Sequence, residues 1–356
     1  MSEATDPAPT VPPSNPPIVW ADRDPDEGAR RLALGFLDQS AAAKERISDP
    51  DDTEALHDFR VGLRRLRSTL RTYQDLLGKS VGKKLAKRLK ALADSTGEGR
   101  DAEVALAWID AIGRSGSPPG SSARPGHRWL RSRLAAVRDR AYAEIAERIE
   151  EGFAPLAESL RERLSVYRAE VRLDGAVAPR RFGEVAAAAL VELGQRIEKE
   201  LAAIGSAEDE ENSHRARITA KRIRYLLEPF AEESPEARAA AKRLKQLQEL
   251  LGELHDAHVL ERTLADAAAE AGAERARRLF DSGLAVASPT DLAAARRRPL
   301  ESGLVDLGRR NRARRDELFA RLANGWFATS ERSGPPKDLA RLAKELAQAV
   351  ESLGIS

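Results

Sequence analysis

One pattern occurs twice in this chain, and it constrains the fold more than any other feature. His57-Asp58-Phe59-Arg60-Val61-Gly62-Leu63-Arg64-Arg65-Leu66-Arg67 and His214-Arg215-Ala216-Arg217-Ile218-Thr219-Ala220-Lys221-Arg222-Ile223-Arg224 both fit H-x-x-R-[VI]-x-x-[RK]-R-x-R. As a helix at roughly 100° per residue, the first copy gathers His57, Arg60, Arg64, Arg67 and Arg71 within about 80°. Phe59, Leu63, Leu66, Leu70 and Tyr73 fall on a separate apolar stripe. Each copy therefore carries a face that packs and, beside it, a ladder of cations. A solvated surface needs charge, but it does not need the same charge ladder twice.

A second correspondence lies downstream. Leu89, Leu92, Gly97, Asp101 and Val104 have partners 155 positions later at Leu244, Leu247, Gly252, Asp256 and Val259. Lys87, Arg88 and Lys90 map onto Lys242, Arg243 and Lys245, so a further basic stripe recurs. The ladder helices are offset by 157, which places a two-residue difference in a connecting loop. The chain reads as a tandem duplication of a unit of about four helices. Ala, Leu, Glu, Arg and Lys dominate, and strand-type alternation is absent, so the expected fold class is all-α.

The expected order begins with a disordered Pro-rich tail over residues 1–25. A helix follows to about Ile47, then the first ladder helix to about Leu77 with a turn at Gly78 and Gly82. Asp101 is read as the N-cap of a helix holding Trp108, and its counterpart Asp256 likewise. Gly113–Gly126 reads as a loop, and the helix from His127 to about Val166 as broken near Gly152 and Pro155. The repeat units are expected at about 26–170 and 180–330, the chain crossing between them near Leu173–Pro179. The amphipathic helix 337–354, beyond Pro335-Pro336, is set outside the repeat. Trp108, Trp129 and Trp326 are assigned to the core.

Net charge is only +2, so the total says nothing about a partner. Its distribution says more. Five basic residues and no acid lie between Lys83 and Lys90, and five Lys or Arg and no acid between His214 and Arg224. If the halves face each other, the ladders converge on one groove whose mutual repulsion calls for an anion. A row of cations suits a polymer of evenly spaced negative charge, and Arg and Lys are the phosphate-binding residues.

These residues resemble the CHAD family, the histidine-containing α-helical domain. The resemblance rests on His57–Arg67 with Ser68, Gly97 to Asp101 with Val104, His214–Tyr225, and Leu244–Val259, and it covers roughly residues 27–330. It implies two pseudo-symmetric four-helix bundles forming one domain that binds inorganic polyphosphate in a basic groove. The contacts it implies are His57, Arg60, Arg64, Arg67, Lys87, Lys90 and Arg100 in the first half. In the second they are His214, Arg217, Lys221, Arg224, Lys242 and Lys245. Association with polyphosphate granules is the corresponding expectation for location. The chain departs from the pattern at His255-Asp256, where the first half has Arg100-Asp101. No E-x-E-x-K of the triphosphatase domain carried by many relatives is present, so hydrolysis is not implied.

Other classes are less well supported. The chain contains no cysteine, which removes disulfides and thiolate ligands. No apolar leader or run of about 20 apolar residues appears, so a cytoplasmic protein without a membrane partner is the default expectation. A metal at His57 and His214, meeting across the pseudo-symmetry axis, or at His255 and His258, lacks a carboxylate cluster of ligand spacing. No motif places a nucleophile, and no cofactor is implied. A nucleic-acid binder is the alternative, weakened because aromatics, at 4%, leave few rings to stack on bases. A polyphosphate hydrolase is a further one, weakened by ladder faces nearly free of acid. The run Arg296-Arg297-Arg298 reads as a solvated loop.

Overall fold

A computed structural model of the chain describes residues 19–49, 52, 54–114, 124–166, 180–285, 290, 299–327 and 336–354. Residues 1–18 of the tail, most of the Gly113–Gly126 loop, Leu173–Pro179, Pro335 and Arg296-Arg297-Arg298 lie outside these. Helix is the regular structure of the described residues, and no strand occurs among them. The helices are α1 (Pro25–Arg46), α2 (Ala55–Thr72), α3 (Gln74–Ser95), α4 (Gly97–Arg114), α5 (Arg124–Leu164) and α6 (Phe182–Ala202). Then come α7 (Glu210–Leu227), a 3₁₀ turn at Glu228–Phe230, α8 (Pro235–Leu284), α9 (Pro299–Trp326) and α10 (Lys337–Gly354). No described helix is long and apolar enough to cross a membrane.

Local signals set several starts. Asp24 accepts from the amides of Asp26 and Glu27, with Pro25 at the first helical position of α1. Asp209 caps α7 through Asn212 N, and Ser234 caps α8 through Ala237 N with Pro235 next. Other boundaries differ from the sequence reading. The first ladder helix ends at Thr72, and α3 runs straight through Gly78. Gly82, at φ 70° and ψ 158°, leaves the helical region and divides α3 into two helices across a kink, where the sequence reading places a turn, in a conformation open to glycine. The helix α5 passes Pro155 unbroken, because Phe153, Leu156, Ala157 and Leu160 hold it to the core on both sides. Asp101 and Asp256 are not caps: α4 already starts at Gly97, and α8 continues through Gly252.

The basic unit is the packed pair α1–α2, completed by α3 and α5; α6–α7 with α8 and α10 repeat the arrangement. Helix α2 crosses α1 closely, since a Cβ on Gly62 would stand 2.4 Å from Ser40 Oγ. The apolar stripes fill one continuous core that spans both halves, with Leu63, Leu66 and Leu89 on one side and Leu226, Leu244 and Leu247 on the other. Phe182 seals the junction, its ring 5.0 Å from that of Tyr73 and 5.6 Å from that of Phe230. Helix α10, set apart from the repeat by its sequence, packs on α6 and α8, where Leu342, Leu346, Ala349 and Leu353 join this core. Arg243 of α8 reaches Glu345 of α10 at 2.8 Å.

A second, smaller core brings both halves together differently. Leu106 and Ile109 of α4 and Leu130 and Leu134 of α5 meet Leu260 and Leu264 of α8 and Leu304 and Leu307 of α9. Trp326 is buried in the main core, and Trp108 and Trp129 pack against the second. Between the two cores, α2 lies against α7 and α4 against α8. That is where the charged faces of both halves converge.

Candidate functional site

The apolar stripes of α2 and α7 turn inward, so the ladders beside them face the junction. Arg60 and Arg64 come from α2, Arg217 and Lys221 from α7. All four are half-buried, and none makes a salt bridge among the described residues. The Nε atoms of Arg64 and Arg217 are buried with no hydrogen-bond partner among those residues. Helical cations of this kind are costly without an anion.

The electrostatics record that cost. Burial pushes the Arg60 guanidinium down to about 10, and neighbouring Arg64 and Arg100 add to the effect. Arg217 is lowered by burial and by Arg64, with Asp256 and Asp101 opposing. Lys221 is pushed down to about 7 by burial first, then by Arg217, Arg64 and Arg224. These shifts tie α2 to α7 across the junction.

Two carboxylates sit in the same place. Asp101 and Asp256 line one small cavity with Trp108, Thr263 and Arg314. Burial raises both, and Asp256 raises Asp101 further, while Arg60 and Arg217 pull Asp101 back down. The groove is thus not free of acid at its floor, as its ladder faces taken alone suggest. The sequence places both aspartates within the repeat, but only the convergence of α4 and α8 turns them toward the cations. Among the described residues no group of three or more His, Asp or Glu side chains is placed to hold a metal.

The histidines do not meet as the pseudo-symmetry suggests. His57 is exposed, whereas His214 is half-buried with its ring 5.2 Å from His255. Desolvation and Arg217 push His255 down to about 4, so it is neutral at pH 7 where its counterpart Arg100 is charged. His258 is buried and donates from Nε2 to Ala207 O at 2.7 Å, a tie between α8 and the α6–α7 loop rather than a ligand position.

The remaining ladder members lie further out. Arg67 and Lys90 share Asp94, at 2.9 and 2.5 Å. Lys87, Lys242 and Lys245 are exposed and are not among the groups that shift the central cations. Arg224 pairs with Glu228 at 2.9 Å and stacks 4.8 Å from the Tyr225 ring. Glu228 also takes Arg65 of α2 at 3.1 Å, which makes Arg65, off the ladder in sequence, a clamp between halves. Arg100 joins the central group but is paired with Glu103 at 2.8 Å, and Glu103 also accepts from Tyr142 at 3.0 Å. Tyr142 and Arg314 come from α5 and α9, outside the repeated motifs, and no sequence spacing pointed to them.

Comparison with known proteins bears on this arrangement. The family model for the CHAD domain matches residues 31–265. The uncharacterized protein Rv2226 of Mycobacterium tuberculosis (strain ATCC 25618 / H37Rv) is 28% identical over 288 residues, covering 76% of this chain and 52% of that protein. The chain thus spans about half the length of this curated relative. The crystal structure of the CHAD domain from the plant Ricinus communis superposes with a TM-score of 0.57 at 23% identity, covering 85% of this chain and 92% of that one. PptA from Streptomyces chartreusis superposes with a TM-score of 0.50 at 17% identity, covering 84% and 99%. At these identities, the two structures share the fold.

Proposed function

Because the chain belongs to the CHAD domain family, we propose that its inter-bundle groove binds inorganic polyphosphate and that the protein is a binding module rather than a hydrolase. The observation that carries this reading is the half-buried cluster of Arg60, Arg64, Arg217 and Lys221, drawn from both halves and lacking salt bridges among the described residues. Such a cluster is relieved by an anion of several linked charges, because each phosphate neutralises one cation while sharing the entropy cost of one chain. Arg100 extends it on the first half. The outer Arg67, Lys87, Lys90, Arg224, Lys242 and Lys245 supply a positive rim that steers the polymer inward. In the cell, such binding brings the protein to polyphosphate or its granules.

The test is an electrophoretic shift with long-chain polyphosphate against RNA and DNA of similar total charge. The protein is then incubated with polyphosphate, with Mg²⁺ or with EDTA, and bound polymer and released phosphate are measured. Preferential retention of polyphosphate, undiminished in EDTA and with chain length unchanged, is the expected result. Equal retention of nucleic acid overturns the partner, and shortened chains overturn the binder.

A further inference from the structure

The two ends of the groove are built differently, although they descend from the same repeat. In the second half the α6–α7 loop is tied down at this end. His258 holds the α6–α7 loop at Ala207 O, Arg315 of α9 reaches Glu208 at the loop's end, and His214 lies against His255. The position 155 residues earlier than His258 is Glu103. A carboxylate has no proton to give a loop carbonyl. Glu103 instead takes Arg100 and Tyr142, and a cleft of about 530 Å³ opens beside it, lined by His57, Arg60, Arg100, Arg138 and Tyr142. Tyr142 fits there because a Cβ on Gly99 would stand 2.3 Å from its ring; 155 residues later Leu254 is fully buried in the core.

We propose that this first-half cleft is a subsite for the terminal phosphate of a polyphosphate chain, with Arg60, Arg100 and Tyr142 as its donors. The inference rests on the groove reading above and adds direction to it. A terminal phosphate carries a second ionisation near pH 6, so it brings more charge than an internal unit. Arg60, which makes no salt bridge among the described residues, faces the cleft to receive it. Beyond it the lip carries Asp49, Asp52 and Glu54, Asp52 being paired with Arg46 at 2.7 Å, and this excess of acid disfavours a polymer that continues outward. Glu103 holds Arg100 and Tyr142 and is displaced when the chain end enters.

The experiment titrates wild type, E103Q and Y142F with three probes. These are tripolyphosphate, long-chain polyphosphate with free ends, and the same long chain with its ends blocked as phosphoramidates. Y142F is expected to weaken the two free-ended probes about five- to tenfold, the scale of one hydrogen bond to a charged group. E103Q is expected to tighten them about two- to fivefold by releasing Arg100. Blocked chains should bind wild type more weakly than free-ended ones and ignore both substitutions. Both changes are nearly isosteric and act in opposite directions, so damage to folding cannot imitate the pattern. Equal binding of free and blocked chains, or shifts common to all probes, overturns the subsite and leaves the groove standing. No binding of any probe to wild type overturns the groove reading itself.

Discussion

Arg64 of α2 and Lys221 of α7, matching positions of the two repeats, stand close enough across the junction for the guanidinium to depress the ammonium. The first half thus supplies a cation that destabilises the charge of its counterpart in the second. The pair makes the empty groove electrostatically unfavourable and an anion within it favourable.

The protonation of Lys221 sets a pH dependence. In the unfolded chain this lysine holds its proton up to about 10.5; in the fold only to about 7. Between these values the unfolded state binds more protons, so stability rises with pH there. Below about pH 7 both states are charged and the penalty is full. Lys221→Met is therefore expected to stabilise the unliganded protein by on the order of 2–4 kcal/mol at pH 6 and progressively less toward pH 10. Denaturant titrations at several pH values check this. Polyphosphate affinity is expected to fall above pH 7 in wild type and to be less pH-dependent in the variant.

Charge reversal separates groove from clamp. Arg64→Glu and Lys221→Glu are expected to weaken polyphosphate binding at least about 30-fold, roughly 2 kcal/mol. Arg65→Glu sets a carboxylate against Glu228 and removes the guanidinium lying near the Phe36 and Tyr225 rings. It is expected to lower Tm while changing affinity far less. Isothermal titration with a thermal melt on each variant distinguishes the two, and equal affinity losses would show diffuse charge at work.

Helix α10 is part of the core rather than an appendage. Leu346 is 6% exposed and packs with the leucines of α6 and α8. Leu346→Ala is expected to cost about 2–4 kcal/mol in equilibrium unfolding. Polyphosphate binding at low temperature should remain near wild type. A cost below about 0.5 kcal/mol would place α10 outside the cooperative unit.

The α1–α2 crossing depends on Gly62. Gly62→Ala puts a Cβ 2.4 Å from Ser40 Oγ and 3.2 Å from Ser40 N. Crowding of this kind costs about 1–3 kcal/mol. Adding Ser40→Ala is expected to recover only part of the loss, because the backbone nitrogen remains. Full recovery in the double variant would assign the whole conflict to the hydroxyl.

Much of the fold was legible in the residues. Helical periodicity marked α1, α2, α7 and the α8 start, and repetition disclosed the duplication, with Leu89 and Leu244 both buried. The boundaries near glycine and proline were not legible, because neither residue ends a helix that packing holds on both sides. Gly78, Gly252 and Pro155 all lie inside helices. Of the candidate site, Arg60, Arg64, Arg217 and Lys221 meet at the junction, while Lys87, Lys242 and Lys245 remain exposed. Their spacing was the same; burial separates them, and burial depends on which helices cross.

By itself the sequence determined what is local and periodic: which face of each helix is apolar, which is cationic, and that the unit occurs twice. Those properties follow from side-chain spacing along one helix. The tertiary structure alone decided that Asp101 and Asp256 line one cavity, that His214 meets His255, and that His258 ties down the α6–α7 loop while a cleft lies beside Glu103. These depend on groups from different helices coming within a few ångströms. Single substitutions in a repeat, Glu103 against His258 or Gly99 against Leu254, redirect such contacts without altering the pattern of either helix.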